Sequence, residues 1–411
     1  MSSKPLPQLP KLNHPDEAIE RICGLLPRLS VEQVEQHDAL GRVLAEPIQT
    51  DRPSPPLDIS AMDGFAFRLS DLKAKLMFVS GTSQAGHPAP TLVTGQAVRI
   101  FTGAPVPAGA DVVVKREDTN EQALQFELQI DPASLRLGQN IRRCGENAAA
   151  GSEVLSSGVA VGATHMVAVA TFAPPLISVY RRARVAIINT GDELIEGGSP
   201  ALPHQIRDSN GPLLESLVRN RPWLHLTSRS RVADRYEALR EHIEQLLKEN
   251  DALLLTGGVS MGDTDHVPNV LRDLGAAIVF HKLPIRPGKP ILGAVGPQGQ
   301  AILGLPGNPV SVAATALRIA FPVLKHLTGF GDILPAMLPA TLIDPDQKSI
   351  PLHWYRPVQF CRDSTTGALE VRLTPNLGSG DVVALSASDA FIEIPLNEPT
   401  HQGLWNCFRL E

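Results

Sequence analysis

Four short segments hold the residues whose types and spacing suit chemistry. TGGVSMGDTDHV, residues 256–267, sets two glycines behind an apolar run and then Asp263 and Asp265 two positions apart. NTGDEL ends in Asp192 and Glu193, HKLPIRPGKP carries Lys282, Arg286 and Lys289, and LPGNP carries Pro306, Gly307 and Pro309. Glycines such as Gly257, Gly258, Gly262 and Gly307 let a backbone approach a phosphate, and Ser260 lies in the same loop as three of them. A helix that follows such a loop presents free N–H groups and a dipole that favour negative charge. Each loop alone fits an ordinary strand-to-helix turn with a capping aspartate. Together they place cations beside carboxylates, which suits an anionic substrate arriving with Mg²⁺, an ion that prefers a few carboxylates, several waters and substrate phosphates.

A second set lies earlier in the chain. Asp63 stands in SAMDGFA, Thr102 in RIFTGAPVP, and Arg142, Arg143 and Asn147 in NIRRCGEN. An aspartate in a Met-Asp-Gly turn is commonly a turn former, and so is a threonine before glycine. Arg142 and Arg143 fit a phosphate contact or a solvated edge equally well. The chain has no GxxxxGK[ST] and no GxGxxG, so a P-loop and a nicotinamide site have no support.

These segments need elements to hold them. RVAIIN, LHLTSRS, DALLLT and AAIVFHK are short apolar strands alternating with helical stretches from residue 181 onward, which predicts an α/β domain with a largely parallel sheet. In such a sheet ligands bind beyond the carboxyl ends of the strands, where the chemistry-bearing loops fall. Asp234 and Glu237 have capping-box spacing ahead of Leu239, Ile243, Leu246 and Leu247, one apolar helical face. HPDEAIERICGLLPRL predicts a first helix that starts at Pro15 and is ended or bent by Pro27. Residues 47–145 read as a β-rich domain with runs MFVS, AVRIF, DVVVK and LQFELQI. Residues 331–411, with LHWYRPVQF, LEVRLT and AFIEIP, read as a small β-barrel or sandwich.

Composition bounds the function. At 411 residues the chain has room for two to four domains. With 43% hydrophobic and 19% charged residues it can bury a core, so disorder is not the expectation. A net charge of −6 argues against nucleic-acid binding by general attraction, so any anion site must be local. The start lacks a basic segment followed by an apolar run, which implies a cytoplasmic protein without a secretory signal. The most apolar stretch, residues 159–179, is interrupted by Gly162, His165 and Pro174–Pro175, which suits a buried helix and then a strand, not a membrane span. Cys23, Cys144, Cys361 and Cys407 are scattered, which implies reduced, mostly buried thiols and neither zinc nor disulfides.

SAMDGFA, RIFTGAPVP, NIRRCGEN, NTGDEL, RDSN, TGGVSMGDTDH, KLPIRPGKP and GLPGNPVS, in this order, resemble the molybdopterin molybdenumtransferases, the group of the bacterial MoeA proteins and the gephyrin E domain. The resemblance runs from about residue 14 onward, and the last domain contributes little to it. It implies an elongated homodimer of four-domain subunits, with residues 1–46 and 146–180 forming one discontinuous domain around the β-rich insert of 47–145. The α/β domain of 181–330 would be of the molybdopterin-binding type, and the active site would lie between it and the partner subunit's β-rich domain. The implied reaction takes adenylylated molybdopterin and molybdate, releases AMP and forms molybdenum cofactor with Mg²⁺ assisting. The pterin dithiolene would supply the soft ligands, so no cysteine cluster is needed.

By motif, Asp63, Thr102, Glu193 and Asp265 carry over as catalytic positions, with Glu193 and Asp265 toward the divalent ion or adenylate and Asp63 toward metal insertion. Asp192, Gly257, Gly258, Ser260, Lys282, Arg286 and Lys289 carry over to substrate or phosphate contacts, Pro306 and Pro309 to shaping the site, and Arg142, Arg143 and Asn147 to support. Implied partners also include the molybdopterin adenylyltransferase and recipient molybdenum enzymes, with no nucleic acid and no membrane. Two departures stand out. The family usually has Gly-Glu-Asp where this chain has Gly145-Glu146-Asn147, and often has Lys at the position of Arg286. Asn cannot act as a general base or neutralise an ion, which raises a second reading, a molybdopterin-binding or scaffold paralogue with weakened insertion.

Overall fold

The computed structural model describes residues 11–259, 265–362 and 367–410. The chain divides into two compact units, one made of Met1–Glu46, Ser157–Ala163 and Leu176–Glu411, the other of Pro47–Ser156 and Thr164–Pro175.

In the larger unit six strands form the α/β sheet, in the order Leu224–Val232, Ala183–Thr190, Ala252–Thr256, Ala301–Leu305, Leu292–Val295, Ala277–His281. The first four are mutually parallel, and the last two pairings are antiparallel, which confirms and refines the expected parallel sheet. The central strands are buried at every position except Arg184, as their apolar runs require when both faces are covered. From Ala183–Thr190 the chain moves to one neighbour, Leu224–Val232, and then returns to the other, Ala252–Thr256. The order therefore reverses between two adjacent strands, and a crevice opens at their carboxyl ends.

Leu239, Ile243, Leu246 and Leu247 are buried on the helix Tyr236–Glu249, as their spacing predicts. The capping box does not form. The helix begins after Arg235 without a side-chain cap, because the Asp234 carboxylate accepts a bond from Thr190 Oγ1 instead. The first helix, Pro15–Cys23, buries Ala18, Ile19 and Ile22 but stops at Gly24, ahead of the expected Pro27. Pro309–Leu327 is the described helix long and apolar enough to cross a membrane, and 89% of its 18-residue apolar window is buried, as in a core element. Arg318, within its π-helical turn, forks onto Glu393 at 2.8 and 3.2 Å and reaches Asp16 at 2.7 Å. That buried knot ties the first helix and the C-terminal domain to the α/β core.

The C-terminal strands His353–Arg362, Leu369–Leu373, Leu338–Leu342, Gly403–Arg409 and Ala390–Ile394 pair in that order, and the last closes on the first, giving a five-stranded barrel. Closure leaves no free edge within the ring. The short strand Ile285–Arg286 adds to it in parallel, pairing Arg286 with Trp354.

The smaller unit centres on a six-stranded sheet, in which Phe65 stacks on Phe126 at 4.1 Å over a core with Phe67, Val112 and Val114. Its helix His165–Phe172 is apolar but buries only Val169, and Val167 is 72% exposed. The expected buried helix is thus only partly covered, with Val167, Ala170 and Thr171 exposed. Cys23 and Cys407 are buried thiols pushed up to about 12 and about 11, whereas Cys144 is exposed, so burial holds for only two of the four.

Candidate active site

At the carboxyl end of Ala183–Thr190 the chain turns at Gly191 into Asp192 and Glu193, and at the end of Ala252–Thr256 it turns at Gly257 and Gly258. Gly257 sits at φ +88°, and a Cβ there would lie 2.2 Å from the Thr190 carbonyl oxygen. The two strand ends can approach only because this residue is glycine. Asp192 Oδ1 accepts the Asp234 backbone N–H at 3.1 Å, and Thr190 Oγ1 donates to Asp234 Oδ1 at 3.2 Å. Burial raises the Asp234 carboxyl above the ordinary range, and the nearby charges of Asp192 and Asp265 push the same way, against the Thr190 hydrogen bond and His266. Asp192, Asp234 and Asp265 therefore share one patch. Asp234 was not singled out from sequence. Its capping-box spacing offered a structural reading, and only the fold shows the carboxylate facing the other two.

Asn210 joins the neighbouring loops. Its Nδ2 donates to Thr256 Oγ1 at 3.0 Å and to the Gly307 carbonyl at 2.6 Å, and Thr256 Oγ1 donates to the Pro306 carbonyl at 3.2 Å. A buried polar chain thus sets LPGNP beside TGG. Pro309 opens its helix at the first turn, where the missing N–H costs nothing, and Asn308 Nδ2 donates to Ser379 Oγ at 2.7 Å. His281 Nε2 sits 2.7 Å from the Val259 carbonyl, fixing the last described residue before Ser260. Ser260, Gly262 and Asp263 lie outside the described residues.

Beyond Pro306 a cavity of about 1160 Å³ opens between the α/β loops and the barrel. Arg286 and Lys289 line it from one side, and Lys348, Trp354, Arg356 and Ser379 from the other. Among the described residues Asp346 is the one carboxylate on its wall, and Arg356 forks onto it at 2.6 and 2.8 Å, holding its carboxyl down to about 2. Among the described residues Arg286 and Lys289 have no carboxylate partner. Lys282 is exposed at φ +69° and is not part of this wall. The barrel residues escaped the sequence reading, although alternation along HWYRP puts Trp354 and Arg356 on one face and buried Tyr355 on the other.

Within the smaller unit, three distant motifs meet. Asp63 Oδ1 accepts from both the backbone N–H and Oγ1 of Thr102, at 2.7 and 2.8 Å, and these bonds, with Arg116 and Arg99, hold its carboxyl below the usual range. The exposed pair is fixed as a carboxylate with one oxygen already engaged. Arg142 donates to Glu146 at 2.5 Å and to Asn147 Oδ1 at 2.7 Å, and Arg143 donates to Asp58 at 2.6 Å. Both arginines are therefore satisfied by side chains of their own unit. Glu146, not Asn147, supplies the charge that faces Arg142.

For metals, the described side chains that converge to ligand distance are His14, His353 and Glu393, whose ligand atoms lie within 4.8 Å. Glu393 is already forked by Arg318, so this group reads as part of the buried knot. The patch of Asp192, Asp234 and Asp265 offers only hard oxygen donors, spread more widely. That suits Mg²⁺, which takes one or two carboxylates and fills its remaining positions with water and substrate phosphate.

An α/β sheet with glycine turns and carboxylates at its switch point, a cationic cavity beside it and a β-rich insert define a class of nucleotide- or pterin-handling proteins. Comparison narrows it. A family model described as the MoeA N-terminal region (domain I and II) matches residues 14–173, and one described as a probable molybdopterin binding domain matches residues 186–326. A molybdopterin molybdenumtransferase of Nostoc sp. is 36% identical over 346 residues, 79% of this chain and 78% of the relative. Another, from Staphylococcus epidermidis, is 30% identical over 386 residues, 92% of this chain and 90% of the relative. The crystal structure of the molybdopterin biosynthesis MoeA protein from Pyrococcus horikoshii aligns with a TM-score of 0.79 at 25% identity, covering 97% of this chain and all of that one. The chain belongs to the molybdopterin molybdenumtransferase family, and is a transferase of molybdenum-cofactor biosynthesis.

Proposed function

We propose that the chain inserts molybdenum from molybdate into adenylylated molybdopterin, releasing AMP and forming molybdenum cofactor, with Mg²⁺ assisting. The observation that carries this reading is the pairing, at one sheet edge, of a carboxylate patch with a cavity whose Arg286 and Lys289 lack carboxylate partners among the described residues. Arg286 and Lys289 hold the molybdate oxyanion through charge-assisted hydrogen bonds. Glu193 and Asp265, joined by Asp234, would hold Mg²⁺, which when bound neutralises charge on the adenylate phosphate. Asp192, Gly257, Gly258, Ser260 and Lys282 contact the phosphate-bearing substrate, while Pro306 and Pro309 shape the loop between patch and cavity. Asp63, oriented by Thr102, serves the metal-insertion side, and Arg142, Arg143 and Asn147 brace that end of its unit.

The reading extends to a cytoplasmic homodimer. The open apolar helix His165–Phe172 supports a face for a second copy to cover. The molybdopterin adenylyltransferase would supply the substrate and molybdenum enzymes would receive the product. A scaffold role without turnover is not favoured: the relatives are named as enzymes, and Glu146 already supplies the charge opposite Arg142.

The test is AMP release from adenylylated molybdopterin with Mg²⁺, with and without molybdate, for the wild type and Asn147→Asp. Molybdate-dependent release by the wild type is expected. Tight binding without release, rescued by the aspartate, would instead establish the scaffold reading.

A further inference from the structure

We infer that Trp354 is a positioning residue for oxyanion capture: its indole carries the guanidinium of Arg286 on the cavity wall, so that molybdate recognition in this chain depends on the Arg286–Trp354 pair. The inference rests on the cavity being the molybdate pocket.

Arg286 is exposed and, among the described residues, has no carboxylate to hold it. A long side chain in that state is conformationally free, and ordering it on ligand binding costs rotamer entropy. The fold supplies a partner of another kind. The short strand Ile285–Arg286 runs parallel to His353–Arg362 with Arg286 opposite Trp354, and the guanidinium carbon lies 5.7 Å from the indole centroid. That is within the range where the negative face of an aromatic ring attracts a cation.

The indole is itself held. Arg356 lies over the same ring at 4.3 Å and cannot swing away, because Asp346 takes both of its forks and Thr400 Oγ1 accepts at 3.2 Å. A relay therefore runs from Asp346 through Arg356 and Trp354 to Arg286. Its charges divide usefully. Asp346 neutralises Arg356, which becomes a clamp, whereas Arg286 keeps its charge for a ligand. A planar guanidinium can rest on the ring and still direct N–H groups outward at an oxyanion. A lysine ammonium, compact and strongly hydrated, gains less from the ring and offers no fork.

The experiment is equilibrium dialysis of molybdate against the full chain, comparing wild type, Arg286→Lys, Trp354→Leu, Trp354→Phe and the Arg286→Lys/Trp354→Leu double variant. Each of Arg286→Lys and Trp354→Leu is expected to weaken molybdate about three- to tenfold, the scale of a cation–π contact. The double variant should be no more than about twofold worse than the weaker single one, since both remove the same interaction. Trp354→Phe should fall between wild type and leucine, and the KM for adenylylated molybdopterin should stay within about twofold. Molybdate should change tryptophan emission in the wild type and much less in Trp354→Phe.

Unchanged molybdate affinity in folded Trp354→Leu, or single effects that multiply in the double variant, would overturn the inference. If Trp354→Leu fails to fold, the cycle is run with Trp354→Phe under the same criteria. Wild-type protein that binds molybdate with this coupling yet releases no AMP would leave the pair standing and overturn the proposed reaction. Absence of molybdate binding to the wild type would remove the pocket and the pair together.

Discussion

The carboxylate patch of Asp192, Asp234 and Asp265 and the cavity of Arg286 and Lys289 sit at the same edge of one sheet but are built in different ways. The patch is made by strand ends and the turns directly after them, so its groups are held by hydrogen bonds to backbone and to Thr190. The cavity is made half by such turns and half by a barrel that begins some way later in the chain, so Arg286 rests against Trp354 of the barrel, whose own Arg356 is held by Asp346. Between them runs the buried chain of Asn210, Thr256 and the carbonyls of Gly307 and Pro306. Opposite charges at one edge would cancel if they paired directly. Here the loop LPGNP, tied to Asn210, borders the cavity, and the proposed reaction would assign the patch to a divalent cation and the cavity to an oxyanion.

That division can be broken one side at a time. The largest effect is expected from Asp265→Asn, which should lower AMP release roughly 100-fold, as loss of a group at a metal site can, while molybdate binding by dialysis stays within about twofold. Loss of molybdate affinity in this variant would mean that patch and cavity are one site. Lys289→Ala should raise the molybdate requirement roughly tenfold, the scale of one charge-assisted hydrogen bond, with the Mg²⁺ requirement unchanged.

The patch should also be the acid-sensitive side. Burial raises the Asp234 carboxyl, so as pH falls it takes up a proton sooner than an ordinary aspartate and competes with the cation. At limiting Mg²⁺, AMP release should therefore drop a few-fold at pH values where ordinary carboxylates remain ionised, and added Mg²⁺ should restore it. A pH profile insensitive to Mg²⁺ would place Asp234 outside the cation site. The smallest effect is expected at Asn147→Asp, less than about threefold in AMP release, because Glu146 already supplies the charge opposite Arg142. A gain of tenfold or more would show that the amide limits the reaction.

Legibility in the sequence followed this contrast. Glycine turns after apolar strands announce themselves locally, so TGG and TGDEL were readable as one edge of a parallel sheet. Asp63 and Thr102, 39 positions apart, were readable only through resemblance, and the fold brings them to 2.8 Å. Asp234 was hidden by its own sequence, since capping-box spacing describes a helix start and says nothing of a carboxylate turned back to Thr190. Trp354 and Arg356 were hidden by distance: their face of the strand is defined by what the Ile285–Arg286 segment adds to the barrel. The first helix stopped early for a local reason, the turn at Gly24, which outweighed the more conspicuous Pro27.

The most direct test of the divided edge is a crossed titration of AMP release, with Mg²⁺ varied at fixed molybdate and molybdate varied at fixed Mg²⁺, in Asp265→Asn and Lys289→Ala. The account predicts that the first variant shifts only the Mg²⁺ dependence and the second only the molybdate dependence. Shifts of both dependences in both variants would contradict it.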